Sequence, residues 1–379
     1  MKKLFTTALC AIALPITANA ASIIGLGDLA GGGFVSVALG VSADGSTVVG
    51  WSRSASRNEQ AFVYQSGVMT GLGDAFFTEG TFFNRAWDVS DDGSTVVGHL
   101  GFEGFIYQNG VMTGLRDLLG GALNSRAIGV SADGSTVVGH ASTALGTEAF
   151  IYQNGVVTGL GDLAGGAFNS SAIGISADGS TVVGHSRSAS GQEAFVYQNG
   201  VMTGLGTLAG GSFNSQAWGA SADGSTVVGV SGSASGTQAF IHQNGVMTGL
   251  GDLPGGSFSS QASAVSADGS TVVGRSQSAS GPTATLWFED GNGGFTIESL
   301  QDRLLLLGID MTADGWSRLQ DAQDISDDGR FIVGSGLRDD GRTEAFLVDL
   351  GATAVPVPAA AWLFGSALIG LFSLKRISS

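Results

Sequence analysis

The nine residues Ser42-Ala-Asp-Gly-Ser-Thr-Val-Val-Gly50 decide the fold of this chain, because they return along almost its whole length. A degraded copy, Ser326-Asp-Asp-Gly-Arg-Phe-Ile-Val-Gly334, is the last of the series. Successive copies start 48, 41, 45, 45, 45 and 60 residues apart. A nearly fixed period of this size indicates one supersecondary unit used seven times. The remaining copies begin at Ser90, Ser131, Ser176, Ser221 and Ser266.

Each unit predicts four strands. The Asp-Gly pair suits a tight turn, and the Ser-Thr-Val-Val run favours an extended strand. In the third unit, residues 127–130 precede this turn, and residues 149–152 and 156–160 follow it, separated by a second turn at Asn154-Gly155. An antiparallel unit of about 45 residues has the size of one propeller blade. The sequence therefore predicts an all-β, seven-bladed β-propeller of four-stranded blades.

The two ends of the repeat region predict how the ring closes. Residues 22–29 match the fourth strand of later units, whereas the seventh unit supplies three strands and no fourth. The N-terminal strand 22–29 should therefore join the last blade by pairing with residues 344–350, which removes two open sheet edges. The alternative is an open repeat array, in which these segments do not pair.

Two irregular features accompany the repeat. A helical insertion is predicted at about 299–320, because residues 300–307 have helical spacing and Gly308 can stop the helix. The loops that join successive units follow the pattern Gly-Asp-Leu-Ala-Gly-Gly-x-Phe-Asn-Ser. Their Phe is expected to pack between neighbouring blades.

The charge and cysteine content exclude some functions. The formal net charge is −16, so the positive surface needed for nucleic-acid binding is missing. Cys10 is the only cysteine, and it lies in residues 1–20, which are predicted to be a signal peptide. That segment has a basic start, an apolar stretch at 4–15 and a small-residue cleavage site at Ala18-Asn-Ala20. The mature chain, with its repeat domain at 21–350, is then free of disulfides and cysteine-based metal sites.

The C-terminal segment predicts attachment to a membrane. Val355, Pro356, Val357 and Pro358 precede an apolar run at 359–374, which Lys375 and Arg376 close. As a helix, this run would span about 24 Å, which suits a short membrane helix with its basic end in the cytoplasm. A buried core helix is the alternative.

Two resemblances support this organisation. Residues 351–379 resemble a PEP-CTERM sorting signal, although Val357 stands where that family has glutamate. The resemblance implies recognition by an exosortase-type enzyme. Residues 22–350 resemble the HAF family of extracellular repeats, with Glu or Gln in place of its histidine. This second resemblance implies an exported repeat protein and brings no catalytic residues. Its Ala-Phe pairs are Ala61-Phe62, Ala149-Phe150, Ala194-Phe195, Ala239-Phe240 and Ala345-Phe346.

The conspicuous polar residues are interpreted structurally. The aspartate of each repeated turn is expected to accept backbone N–H groups, because one carboxylate per turn is too few for calcium. His99, His140 and His185 share one position, where a three-histidine metal site is conceivable, but its variability in other units favours an exposed, non-ligating role. No catalytic residue, cofactor or metal site is predicted. The turn aspartates are Asp44, Asp92, Asp133, Asp178, Asp223, Asp268 and Asp328.

These observations lead to one expected function and one alternative. We expect an exported, non-enzymatic repeat protein, held first at the inner membrane and then at the cell surface or outside the cell. Its propeller is expected to present a binding face toward exopolysaccharide. The alternative is a propeller-type glycoside hydrolase or lyase acting on extracellular polysaccharide. A cluster of acids with raised pKa values at one ring mouth would favour the enzyme.

Overall fold

The computed structural model describes residues 20–55, 59–73, 83–115, 118 and 124–351. Among them, the residues between 21 and 350 form a single all-β unit with little helix. Its first strands are β1 Ser22–Gly25, β2 Ser36–Val41, β3 Thr47–Arg53, β4 Glu59–Gln65, β5 Val68–Gly71, β6 Asn84–Val89, β7 Thr95–Leu100, β8 Glu103–Gln108, β9 Val111–Gly114, β10 Ser125–Val130, β11 Thr136–Ser142, β12 Thr147–Gln153 and β13 Val156–Gly159.

The second half continues the same pattern and contains the helical segments α1 Leu300–Leu306 and the 3₁₀ turn Met311–Asp314. Its strands are β14 Gly165–Ile175, β15 Val182–Ser188, β16 Gly191–Gln198, β17 Val201–Gly204, β18 Ser215–Ala220, β19 Thr226–Ser233, β20 Gly236–Gln243, β21 Val246–Gly251, β22 Gly255–Val265, β23 Thr271–Ser278, β24 Gly281–Glu289, β25 Phe295–Ser299, β26 Trp316–Ile325, β27 Phe331–Arg338 and β28 Thr343–Asp349.

The strands assemble into antiparallel four-stranded units, as the repeat predicts. Three of the sheets are separate four-stranded sheets: β2-β3-β4-β5, β6-β7-β8-β9 and β1-β28-β27-β26. Two further sheets contain eight strands each, β10–β17 and β18–β25. Each of these consists of two antiparallel halves joined by one parallel pair, Thr147 with Asn169 and Thr237 with Ser259.

The N-terminal strand completes the last sheet. Strand β1 pairs with β28 along its whole length, from Ser22 opposite Asp349 to Gly25 opposite Phe346. The predicted pairing is therefore confirmed, and the open array is wrong because that arrangement requires these segments to lie apart. Pairing the first strand with the last covers an edge that would otherwise present free backbone groups.

One repeated hydrogen bond shows that the last sheet packs on the first as consecutive sheets pack on each other. The Ala194 N–H donates to Ser215 Oγ of the next unit at 2.9 Å. The Ala345 N–H of β28 makes the equivalent bond to Ser36 Oγ of β2 at 3.0 Å, across a separation of 309 residues. The sheets thus form a closed β-propeller arrangement in which β2, β6, β10, β14, β18, β22 and β26 are the inner strands.

The repeated turns have the backbone conformations that their sequences require. In the Asn-Gly turns both residues have positive φ, for example 51° at Asn154 and 82° at Gly155. That geometry matches the twist of a two-residue hairpin. The glycine that ends each Val-Val-Gly run is needed for a different reason, which is lack of space. At Gly139, a Cβ atom would overlap the carbonyl oxygen of Arg126 on the neighbouring inner strand. The inner strands bulge at this point.

The core lies between adjacent sheets, and the Ala-Phe pairs supply much of it. Phe150 and Phe195 are 1% and 0% exposed, and their alanine neighbours are fully buried. The expectation for the phenylalanines of the connecting loops was wrong at Phe34 and Phe213, which lie on the surface. Phe168 and Phe258 of the corresponding loops are half-buried.

The helical part of the insertion is shorter than the helical insertion predicted at about 299–320. Ser299 caps α1 by accepting the Asp302 N–H at 3.1 Å, and Gly308 follows the helix with a φ of 84°. Strand β26 already begins at Trp316, inside the predicted 299–320 segment. Within the described residues, no helix is long and apolar enough to cross a bilayer. The predicted membrane helix at 359–374 lies outside those residues.

Candidate functional site

A central cavity of about 530 Å³ is enclosed by the inner strands. Every inner strand contributes to its wall, because side chains along one face of each strand point toward the ring axis. The middle of the wall is apolar and aromatic, with Leu39, Trp87, Ile128, Ile173 and Trp218 at the same position of successive units. Polar side chains at the two ends of the inner strands give the cavity its chemistry.

The end where the inner strands begin carries guanidinium, indole and imidazole groups. The Trp87 Nε1–H donates to His99 Nδ1 at 2.9 Å, and the two rings stack with centroids 5.9 Å apart. Arg85 lies over the rings of Trp51 and Trp87, at 5.1 and 5.5 Å, and forms an ion pair with Glu59 at 2.7 Å. These contacts hold the Trp87 indole at the cavity wall through one hydrogen bond and one cation–π contact.

His99 is buried, and His140 and His185 are half-buried, so none of the three is exposed, which corrects the prediction for their position. Burial first, and then the charges of Arg126 and Arg85, lower the pKa of His99 to about 3. Burial and Arg126 lower the pKa of His140 to about 4, and burial lowers that of His185. All three are therefore neutral near pH 7. Among the described residues, no group of three or more acidic, histidine or cysteine side chains could hold a metal ion.

Four carboxyl groups gather at the other end of the cavity, near the Asp-Gly turns. Asp88 and Asp91 come from the second unit, and Asp324 and Asp327 from the seventh, on either side of the first. Asp88 accepts N–H groups from Val89 at 2.7 Å and from Val130 of the next unit at 2.9 Å.

Asp324 makes the corresponding bridge from the seventh unit. Its carboxyl accepts the Val41 N–H of the first unit at 2.9 Å. Each of these two side chains thus connects its own inner strand to the following one.

The pKa values of Asp88, Asp91 and Asp324 lie well above the ordinary value of 3.8. Burial raises the pKa of Asp88 to about 6, against the opposing effect of the two N–H groups it accepts. Burial, together with the charge and side-chain hydrogen bond of Asp327, raises the pKa of Asp91 to about 7. Burial and the charge of Asp88 raise the pKa of Asp324 to about 8. Near neutral pH the cluster therefore retains protons that ordinary aspartates release.

Sequence reasoning missed this cluster, although the sequence contained a signal for it. The other five units carry Gly or Ala at the position of Asp88, and Ala at the position of Asp91. Only the second and seventh units read Asp-x-Ser-Asp-Asp-Gly. A comparison of the copies for departures, rather than for agreement, would have identified all four residues.

The aspartates predicted for the turns are engaged inside those turns. In each turn the carboxylate accepts the N–H of the second following residue and the hydroxyl of the serine two residues before it. For Asp133 these bonds are 2.9 Å from Ser135 N and 2.7 Å from Ser131 Oγ. The sorting residues Val355, Pro356, Val357, Pro358, Lys375 and Arg376 lie outside the described residues.

Comparison with known proteins leaves the function open. No family model and no curated protein matches the chain. Among solved structures, TolB from Acinetobacter baumannii is similar, with 14% identity and a TM-score of 0.44, over 83% of this chain and 65% of that one. A putative TolB from Agrobacterium tumefaciens has 15% identity and a TM-score of 0.45, over 74% of this chain and 93% of that one. Neither similarity assigns a function to this chain.

Proposed function

We propose that this protein is an exported seven-bladed β-propeller that binds a segment of an extracellular polysaccharide in its central cavity, without catalysing a reaction. The three separate sheets and the four halves of the larger sheets would be the seven blades. The observation that carries the proposal is the composition of the cavity. Its wall combines two indole rings with hydrogen-bonding side chains.

The size and chemistry of the cavity suit a carbohydrate. A volume of about 530 Å³ falls within the usual range of small-molecule sites. The indoles of Trp87 and Trp218 offer broad faces against which the apolar C–H face of a sugar ring can pack. Arg126 and Gln323 stand at the same wall and can hydrogen-bond to sugar hydroxyls.

Export is proposed from the chain termini alone. The signal peptide at 1–20 and the sorting segment at 351–379 would direct the chain through the inner membrane to an exosortase-type enzyme, and then to the cell surface. Replacing residues 355–358 by alanine should leave the protein in the inner-membrane fraction. Equal release of the variant and the wild type would contradict this part of the proposal.

Binding is tested by mixing the full chain with exopolysaccharide from the producing cells, and by following both co-sedimentation and polysaccharide chain length. Trp218→Ala should lose most of the co-sedimentation, because one of the two indole faces is removed. Phe213→Ala is the matched control, since it removes a 43% exposed ring from the same unit. Binding that survives Trp218→Ala unchanged, or an absence of binding by the wild type, would overturn the proposal.

A second candidate function is favoured by the carboxyl cluster. A glycoside hydrolase needs one carboxyl that is protonated near neutral pH and a second that is ionised. Asp324 and Asp88, with pKa values of about 8 and about 6, provide such a difference. The enzyme predicts that the wild type shortens the polysaccharide and that Asp324→Asn abolishes the shortening. Unchanged chain length with intact binding would exclude it.

A further inference from the structure

The place where the ring closes differs from its other junctions. Backbone hydrogen bonds link the Asp-Gly turns of adjacent units around the cavity, as in Ala43 N–H to Asp91 O at 3.0 Å and Ala267 N–H to Asp327 O at 3.0 Å. Among the described residues, no such bond joins Asp327 to Ala43. This is the junction between the seventh and first units, and we refer to it as the seam.

The carboxyl cluster bridges the seam by other means. The Asp324 carboxyl of the seventh unit accepts the Val41 N–H of the first unit at 2.9 Å. The Asp327 carboxyl lies close enough to the Asp91 carboxyl of the second unit to raise its pKa, and the two can share a hydrogen bond when one of them is protonated. At the end of the cavity near the turns, side-chain carboxyls thus connect the seventh unit to the two units beyond the seam, where the other junctions have a turn-to-turn backbone bond.

We propose that Asp88, Asp91, Asp324 and Asp327 form a pH-sensitive latch, which holds the ring closed when it retains its protons and loosens the seam when it ionises. A hydrogen bond between two carboxyls needs a proton on one of them. Once both are ionised, Asp91 and Asp327 repel each other across the seam. An ionised Asp88 likewise repels an ionised Asp324. This inference does not depend on which ligand the cavity binds.

The pKa values place this change in a physiological range. The folded values of about 6, 7 and 8 exceed the ordinary 3.8, so the folded state binds more protons than the unfolded state at intermediate pH. The free energy of unfolding therefore falls as the pH rises from about 4 to about 8, and the fall ends above the highest folded pKa.

The arginine and the histidines near the latch do not titrate in this window. Arg126 stays cationic, and the lowered pKa values of His140 and His185 keep both imidazoles neutral. Burial raises the pKa of Asp321, on the same strand as Asp324, and the ion pair with Arg275 at 3.4 Å opposes that rise. Hydrogen bonds inside the adjacent turns lower the pKa values of Asp44, Asp92 and Asp133, so these acids are already ionised. Asp328 lies at the protein surface.

The test follows thermal unfolding of the full chain between about pH 5 and about pH 8, the window set by these pKa values. The wild-type melting temperature should fall by several degrees across it. Asp91→Asn/Asp327→Asn keeps the shape of both side chains but cannot ionise, so the fall should become clearly smaller, with the remainder due to Asp88 and Asp324. Asp133→Asn, which neutralises a turn aspartate outside the cavity, should keep the wild-type slope. Equal slopes for the double variant and the wild type would overturn the latch.

A measurement on the wild type alone keeps the inference testable if the double variant does not fold. Amide hydrogen exchange, corrected for the intrinsic effect of pH, should become about tenfold faster at pH 8 than at pH 6 in peptides from β1, β2 and β26. Peptides from β18 to β20, on the opposite side of the ring, should change little. A uniform response of both groups of peptides would refute the latch.

Discussion

The inner strands of this protein use one position in two different ways. In the third and fourth units the position is glycine. A Cβ atom at Gly129 would lie 3.1 Å from Ile173 O, and one at Gly174 would overlap Trp218 O of the next unit. In the second and seventh units, Asp88 and Asp324 occupy the same position and bind an N–H group of the next inner strand. In the third and fourth units the glycine allows the two backbones to approach closely, whereas in the second and seventh units a carboxyl group bridges them.

This difference shows where a repeat protein can carry function. The regular units pack closely and repeat their turns, their serine hydrogen bonds and their buried phenylalanines. The two irregular units replace the glycine by an acid, and they introduce four carboxyls into a cavity that the ring already encloses. Regular copies therefore build the scaffold, whereas departures from the repeat mark the candidate site. The following predictions test this comparison.

The largest effect is expected from placing an acid in a regular unit. Gly174→Asp should destabilise the full chain by about 3 kcal/mol or more, because its side chain must displace the backbone of the next unit and bury a charge. Ser190→Asp adds the same charge on an exposed loop of the same unit and is the control. Urea unfolding measures both. Similar stability of the two variants would mean that the inner strands separate easily, and that the regular units do not require glycine at this position.

Removing a bridge from an irregular unit should cost less, and the cost should depend on pH. Asp324→Ala leaves the Val41 N–H without its acceptor, which costs about 1–3 kcal/mol near pH 5. The cost should shrink near pH 8, because ionised Asp324 is itself unfavourable in the wild type. Asp324→Asn retains an acceptor and should be milder near pH 5. Urea midpoints that shift equally at both pH values would contradict the prediction.

The two cavity indoles allow a smaller comparison between an irregular and a regular unit. Trp87→Phe removes the 2.9 Å bond to buried His99 and should cost about 1 kcal/mol. Trp218→Phe removes a 3.2 Å hydrogen bond to the half-buried Gln216. Because water can replace that bond, the change should cost only a few tenths of a kcal/mol. Thermal unfolding of the two variants gives the ranking. If Trp218→Phe were the more destabilising substitution, the Trp87–His99 hydrogen bond would not stabilise the fold as predicted.

The smallest effect concerns the turn aspartates. Hydrogen bonds from the Ser131 side chain and from Ser135 lower the pKa of Asp133, and similar bonds lower the pKa of Asp178 and Asp223. Their contribution is present above the unfolded value of 3.8 and is lost as the pH falls through the folded pKa values. Stability should therefore rise up to about pH 4 and then fall as the latch ionises.

Neutralising these three turn aspartates together, each by Asp→Asn, should flatten only the acid side of the stability profile. Neutralising Asp91 and Asp327 should flatten only the other side. Urea midpoints at about pH 3, 5 and 8 separate the two limbs. If both sets of substitutions changed the same limb, the assignment of the limbs to the two kinds of aspartate would be wrong.

Much of the fold could be predicted because it depends on short-range chemistry. Asn-Gly and Asp-Gly pairs determine where the chain turns, and the β-branched runs between them determine the strands. The missing fourth strand of the last unit and the extra strand at the start predicted the pairing of β1 with β28. The sequence pattern did not distinguish the phenylalanines that would be buried from those on the surface, since burial depends on which sheet faces them.

By itself, then, the sequence determined the repeating unit, its turns and the closure of the last sheet, because each follows from neighbouring residues or from the count of strands. The sequence shows the four carboxyls only as departures from the repeat, and tertiary structure alone brings them together in one site. Val41 and Asp324 are 283 residues apart, yet ring closure brings them into hydrogen-bonding distance. The raised pKa values of Asp88, Asp91 and Asp324 arise from burial and from one another. Those effects exist only when distant units share one cavity.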